Sequence, residues 1–93
     1  MRVFGRDVLD AFLKNHADVR GPAAAWLADA EEANWKTPQD VRARYPKVSF
    51  IGNQAVFNLK GTKYRLDVKI AFGVQVVEIV RMGTHAEYSQ WKF

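Results

Sequence analysis

Cysteine is absent from the 93 residues, and only two histidines occur, His16 and His85. The first absence removes disulfides, thiolate metal sites and a cysteine nucleophile, and it fits a reducing compartment. With two separated histidines and carboxylates scattered along the helical half, no group of side chains has metal-ligand spacing; no metal and no cofactor is expected. No apolar run is long enough to cross a bilayer, and Met1–Asp7 lacks the apolar stretch of a signal peptide. A cytoplasmic protein without a membrane partner is expected. There is no phosphate-cradling glycine loop, no usable Ser/His/Asp arrangement, no repeat and no linker. The chain reads as one domain, residues 1–93, too short for a second lobe.

What is present is an apolar fraction of 48% with three tryptophans, enough for a packed core. The net charge of +4 is unevenly placed. Residues 1–46 carry seven basic and seven acidic side chains, whereas residues 47–93 carry seven basic and three acidic. The whole excess sits in the second half, which suits attraction of a polyanion. Many small domains are basic, so this feature alone only mildly favours nucleic acid.

Periodicity divides the chain at the same place. Arg2–Phe4 can form a short strand. Val8, Leu9, Phe12 and Leu13 then recur at helical spacing. Asp18 is a candidate cap for a second helix, with Gly21 and Pro22 in or just before its first turn and Ala23, Trp26, Leu27 and Ala30 as its apolar stripe. Thr37-Pro38-Gln39-Asp40 reads as the capped start of a third helix that ends near Tyr45-Pro46. From Val48 the period becomes two. Strands are expected at Val48–Ile51, Gln54–Lys60, Tyr64–Phe72 and Val74–Met82, joined by short glycine-bearing turns as an antiparallel meander. A short helix from Thr84 or His85 to about Trp91 closes the chain. The expected class is α+β, with helices first and a curled antiparallel sheet of four to five strands after them.

Strand alternation puts Phe57 and Leu59, and Leu66, Val68 and Ile70, on the face that meets the helices. The opposite face gathers Asn58, Lys60, Arg65 and Lys69, with Lys63 on the joining turn. Amide and cationic donors on a concave sheet suit phosphate. An ordinary solvated face shows the same alternation and accounts for it equally well. Downstream, His85 and Tyr88 stand three apart, and on a helix they share a face. Imidazole exchanges a proton near neutral pH and a phenol can donate or relay one. A capping histidine and a core-edge aromatic are the alternative account. Glu87 lies off that face and reads as surface charge or as the partner of a neighbouring base. His16 reads as a surface residue, and the three tryptophans as packing anchors, Trp91 least clearly.

The sequence Trp35-Lys36-Thr37-Pro38, then Tyr45-Pro46, then Val56-Phe57-Asn58-Leu59-Lys60-Gly61-Thr62-Lys63-Tyr64-Arg65-Leu66, and finally Gly83-Thr84-His85-Ala86-Glu87-Tyr88, resembles HigB-type toxins. These belong to the RelE-like group of type II toxin–antitoxin systems. The likeness runs over essentially the whole chain, in order and with matching spacing. It implies a metal-independent endoribonuclease that enters the ribosomal A site and cleaves messenger RNA there, the 2′-hydroxyl attacking the adjacent phosphorus. It also implies a HigA-type helix-turn-helix antitoxin as partner, and contact with operator DNA only through that antitoxin.

On that resemblance Arg65 and Lys60 are the candidates for stabilising charge on the phosphoryl oxygens. His85 and Tyr88 are the candidates for general base and acid, in an order left open. Asn58, Lys63 and Lys69 are placed to hold the RNA backbone. The sequence departs from related toxins at one point: they often carry an arginine where Val80 stands, one position before Arg81. A one-residue shift moves a side chain to the other face of a sheet, so Arg81 inherits that role only if a bulge restores its direction. Two other readings compete with the nuclease. One is a module of the same fold that binds RNA or antitoxin without activity. The other is an interaction domain whose basic face meets an acidic partner.

Overall fold

In a computed structural model that describes residues 1–93, the chain forms a five-stranded sheet with three helices packed on one face. The elements in order are β1 (Arg2–Phe4), α1 (Arg6–Leu13), α2 (Arg20–Glu32), α3 (Pro38–Arg44), β2 (Ser49–Ile51), β3 (Gln54–Leu59), β4 (Tyr64–Ala71), β5 (Val76–Thr84) and α4 (His85–Tyr88). The strands lie in the order β1-β5-β4-β3-β2. Strands β2 to β5 form the expected antiparallel meander. The sheet as a whole is mixed, because β1 pairs parallel to β5 through Arg2↔Val76 to Phe4↔Glu78. A parallel neighbour needs a long crossover, and here the entire helical half supplies it.

Gly5 makes the turn from β1 into α1. Its φ is 85°, and a Cβ there would lie 2.5 Å from the Ile79 carbonyl oxygen, so no other residue lets the helix leave so close to β5. α2 lays Ala23, Trp26 and Ala30 on the sheet, where the Trp26 ring meets Phe57 edge-on at 5.4 Å. Phe57, Leu66, Val68 and Val77 are sealed beneath it, and Leu9 and Val41 close the core from α1 and α3. Burial of the large rings at this junction supplies much of the driving force for packing the helices on the sheet. α3 begins as its sequence indicates: Thr37 accepts from the Asp40 backbone N–H, and the Asp40 carboxylate accepts from the Thr37 backbone N–H.

Three local expectations are corrected. Asp18 does not cap α2; it sits in a 3-10 turn, Ala17–Val19, and its carboxylate reaches across to β4 and the turn before it. β5 runs from Val76 to Thr84, two residues later than alternation suggested at each end. Gln75 adopts φ 59° and donates its side-chain amide to the Trp35 and Phe72 carbonyls, which fixes the preceding turn and delays the strand. β3 stops at Leu59, because Lys60 turns into the left-handed region at φ 53°.

Candidate active site

The face of the sheet away from α1–α3 is organised in cross-strand rows. Asn58 on β3 pairs with Arg65 on β4, which pairs with Gly83 on β5. In the next row Val56 pairs with Asp67, and Asp67 with Arg81. The second row exists because of a β-bulge. Asp67 faces Arg81 while Val68 faces Ile79, so β5 holds one extra residue, Val80, and everything after it changes face. Arg81 thereby joins Arg65 on this side of the sheet.

Two structural features cover the upper edge of this face. Thr84 and Glu87 form a capping box, the Thr84 hydroxyl accepting from the Glu87 N–H and the Glu87 carboxylate accepting from the Thr84 N–H. That pairing starts α4 where β5 ends. Gly83 lets the segment fold back closely, since a Cβ there would lie 2.8 Å from the Trp91 ring and 3.1 Å from the Glu87 Cβ. α4 and Trp91 therefore lie over the same face that carries Arg65. Glu87 is thus a capping partner rather than a free surface charge, and the Thr84-His85-Ala86-Glu87 spacing was its signal.

The side chains then sort by what holds them. Arg65 is only 8% exposed, donates to the Thr62 carbonyl and lies over the Tyr88 ring at 5.0 Å. No carboxylate pairs with it among the ion pairs of the molecule. A cation so deeply placed without a counterion is costly to keep and electrostatically available to an incoming anion. Arg81 is held differently: its Nε donates to the fully buried Asp67 carboxylate at 2.9 Å, which Gln54 also binds at 2.8 and 3.0 Å. The Arg81 guanidinium lies over the Trp91 and Phe93 rings at 4.4 and 5.0 Å.

Tyr88 is half-buried against Arg65 and meets Trp91 edge-on at 5.6 Å. His85 begins α4; its backbone N–H donates to the Lys63 carbonyl at 3.0 Å, and its exposed imidazole makes no hydrogen bond. Asn58 is half-buried beside Arg65, and its amide is likewise without a protein partner.

Lys60 and Lys63 do not join this group. Both ammonium groups contact the Asp18 carboxylate, at 3.1 and 2.7 Å, together with the Tyr64 hydroxyl at 2.7 Å. These hydrogen bonds, Lys63 first, hold the Asp18 carboxyl far below the usual carboxylate range. The same interaction raises Lys63 and Tyr64. Alternation groups Lys60 with Asn58, but alternation ends where the backbone turns left-handed, and Asp18 draws the side chain toward the helices. Lys69 stays on the Arg65 face, exposed, four residues along β4 and so about 13 Å away. It pairs across the strands with Gln54 and Glu78.

The structure therefore brings together Arg65, Asn58 and Tyr88, with His85 at the start of the same helical turn, and adds Arg81. It sets Lys60, Lys63 and Lys69 apart. No group of three or more potential metal ligands is present. The cluster can bind an anion and offer a phenol beside a guanidinium, and His85, with an exposed imidazole free of hydrogen bonds, begins the turn that carries the phenol. No helix is long and apolar enough to cross a membrane. No curated protein matches the sequence. A family model described as HigB_toxin, the RelE-like toxic component of a toxin–antitoxin system, matches residues 11–91, and the chain belongs to that family.

Proposed function

We propose that this toxin is a metal-independent endoribonuclease that cuts messenger RNA in the ribosomal A site and is neutralised by a HigA-type antitoxin. The observation that carries the reading is Arg65, a nearly buried guanidinium with no carboxylate partner, beside a phenol and an amide that is also unengaged. A fold does not retain such a charge for stability, and an anionic transition state is a ligand that would use it.

In the proposed reaction the RNA 2′-oxygen bonds to the adjacent phosphorus and the bond from phosphorus to the 5′-oxygen breaks. A cyclic 2′,3′-phosphate and a 5′-hydroxyl result. One proton leaves the 2′-hydroxyl and one arrives at the 5′-oxygen; His85 and Tyr88 are assigned to these two transfers. Arg65 meets the charge that develops on the phosphoryl oxygens, and Arg81, held by Asp67, adds a second cation. Asn58 holds the strand in line, as Lys69 does at a greater distance. Lys60 and Lys63, bound to Asp18, steer the RNA and stand outside the reacting group. DNA, lacking the 2′-hydroxyl, is not cut. The antitoxin carries the operator contact, and the pair acts in the cytoplasm.

Induced expression of the wild-type chain should arrest growth, with rescue by the antitoxin encoded alongside it. Primer extension on translated messages should map cuts that are absent from the Arg65→Ala, His85→Ala double variant. Equal harmlessness of wild type and variant would leave a binding module without activity. Arrest that persists in the double variant would mean the site lies elsewhere.

A further inference from the structure

Beside the proposed active site lies a groove of about 290 Å³ lined by Arg44, Tyr45, Lys47, Phe57 and Asn58, among others. It forms because β2 stops pairing with β3 at Ser49↔Val56, so the chain from Tyr45 to Val48 leaves the edge of β3 open beyond Val56. Its size is near the lower limit for small-molecule pockets, that of one nucleotide rather than a strand. Asn58 belongs to both places: it lines the groove and is the cross-strand neighbour of Arg65, about 5 Å away. A ligand in the groove is therefore adjacent to whatever Arg65 binds.

We propose that this groove is a subsite for one ribonucleotide of the RNA strand, with Arg44 stacking on the base, Asn58 reading its edge and Lys47 taking its phosphate. The inference rests on the RNA reading of the neighbouring face. Arg44 is suited to stacking because it is already held flat. One face of its guanidinium covers the Tyr45 ring at 4.9 Å, and a terminal nitrogen pairs with Asp29 at 2.6 Å. Its side chain is nonetheless 59% exposed, which leaves the other face of the plane open. Guanidinium planes stack on unpaired RNA bases, and amides bind base edges as donor and acceptor together. The Asp29 carboxylate near the groove is engaged by Arg44 and by the Tyr45 hydroxyl, both of which donate to it. Lys47 is exposed and has no ion-pair partner.

The test is a 1H–15N NMR titration of the whole chain with AMP, GMP, CMP and UMP, each compared with inorganic phosphate and with glutamate. The four nucleotides should move the Asn58 side-chain amide, the Arg44 Nε and the Lys47 backbone amide, with one base preferred by about tenfold. Phosphate should move Lys47 alone. Asn58→Ala should flatten the preference among bases, and Arg44→Ala should weaken all four nucleotides by about tenfold. Arg44→Lys, which keeps the charge but loses the plane, should fail to restore them. Rescue by Arg44→Lys, or phosphate moving all three residues as strongly as a nucleotide, would reduce the groove to an anion site and overturn the proposal. A response to glutamate equal to that of the nucleotides would assign it to an acidic protein partner, and silence at Arg44 and Asn58 would empty it. Nucleotide binding without message cleavage would remove the ribonuclease reading and keep this one; cleavage with an empty groove would do the reverse.

Discussion

Arg81 has a carboxylate partner, Asp67, and the more deeply buried Arg65 has none. This difference sets opposite expectations for stability. Replacing Arg65 with methionine removes a nearly buried charge with no counterion, so the thermal midpoint should hold or rise while growth arrest disappears. The cleavage rate should fall by about 10²–10³-fold, the scale of losing one preorganised charge donor. A midpoint several degrees lower would make Arg65 a structural residue and remove the main support for the nuclease. Asp67→Ala should behave in the other way. It takes the acceptor from Arg81 and from Gln54, so urea denaturation should show a loss of about 1–3 kcal/mol, the lower part of that range applying because Arg81 is 32% exposed. Cleavage should weaken with it, since Arg81 then loses its orientation.

At the scale of elements, the site depends on where β5 ends and how α4 begins. α4 is a single turn of four residues, too short to persist on its own propensity, and the Thr84/Glu87 capping box and the packing of Trp91 over Gly83 secure it. Thr84→Ala should cost about 1 kcal/mol locally and free Tyr88 from Arg65. Hydrogen exchange should then quicken in residues 85–91 while the core amides keep their protection, and arrest should weaken. Unchanged arrest with a frayed α4 would show that Tyr88 need not be held. The bulge at Val80 is the other device of this scale. Alternation of apolar residues marks β5 as a strand, but the count of two residues against one is a relation between β5 and β4, and neither strand records it alone. In that ladder Arg81 lies on the same face as Arg65.

Over the whole molecule, the link between the helical half and the β3–β4 turn runs through Asp18. Its carboxyl is held below its ordinary value of 3.8, so the folded state favours the ionised form. The stability this contributes is full above the ordinary value and diminishes as pH falls below it. Wild type should therefore be more stable than Asp18→Asn at pH 7, and the difference should shrink on acidification below about pH 4. A difference independent of pH would mean that Asp18 acts through packing instead. Charge over the second half also predicts that binding to RNA fragments weakens with salt. Lys47→Ala or Lys69→Ala should make that slope shallower by about one unit for each phosphate the lysine neutralises. An unchanged slope would place that lysine off the RNA.

The sequence by itself determined which stretches are helix and which are strand, the Thr37 cap, the face of the sheet that meets the helices and the face that carries Arg65 and Asn58. Those features follow from periods of three to four or of two residues, from local hydrogen-bonding chemistry and from the exclusion of charge from a packed core. Only the tertiary structure decided that β1 lies parallel, that Arg81 turns to the face that carries Arg65, that Lys60 and Lys63 are drawn to Asp18, and that Arg65 has no counterion. Each of these is a relation between residues far apart in the chain, and a periodic pattern carries no information about which distant side chain will meet which.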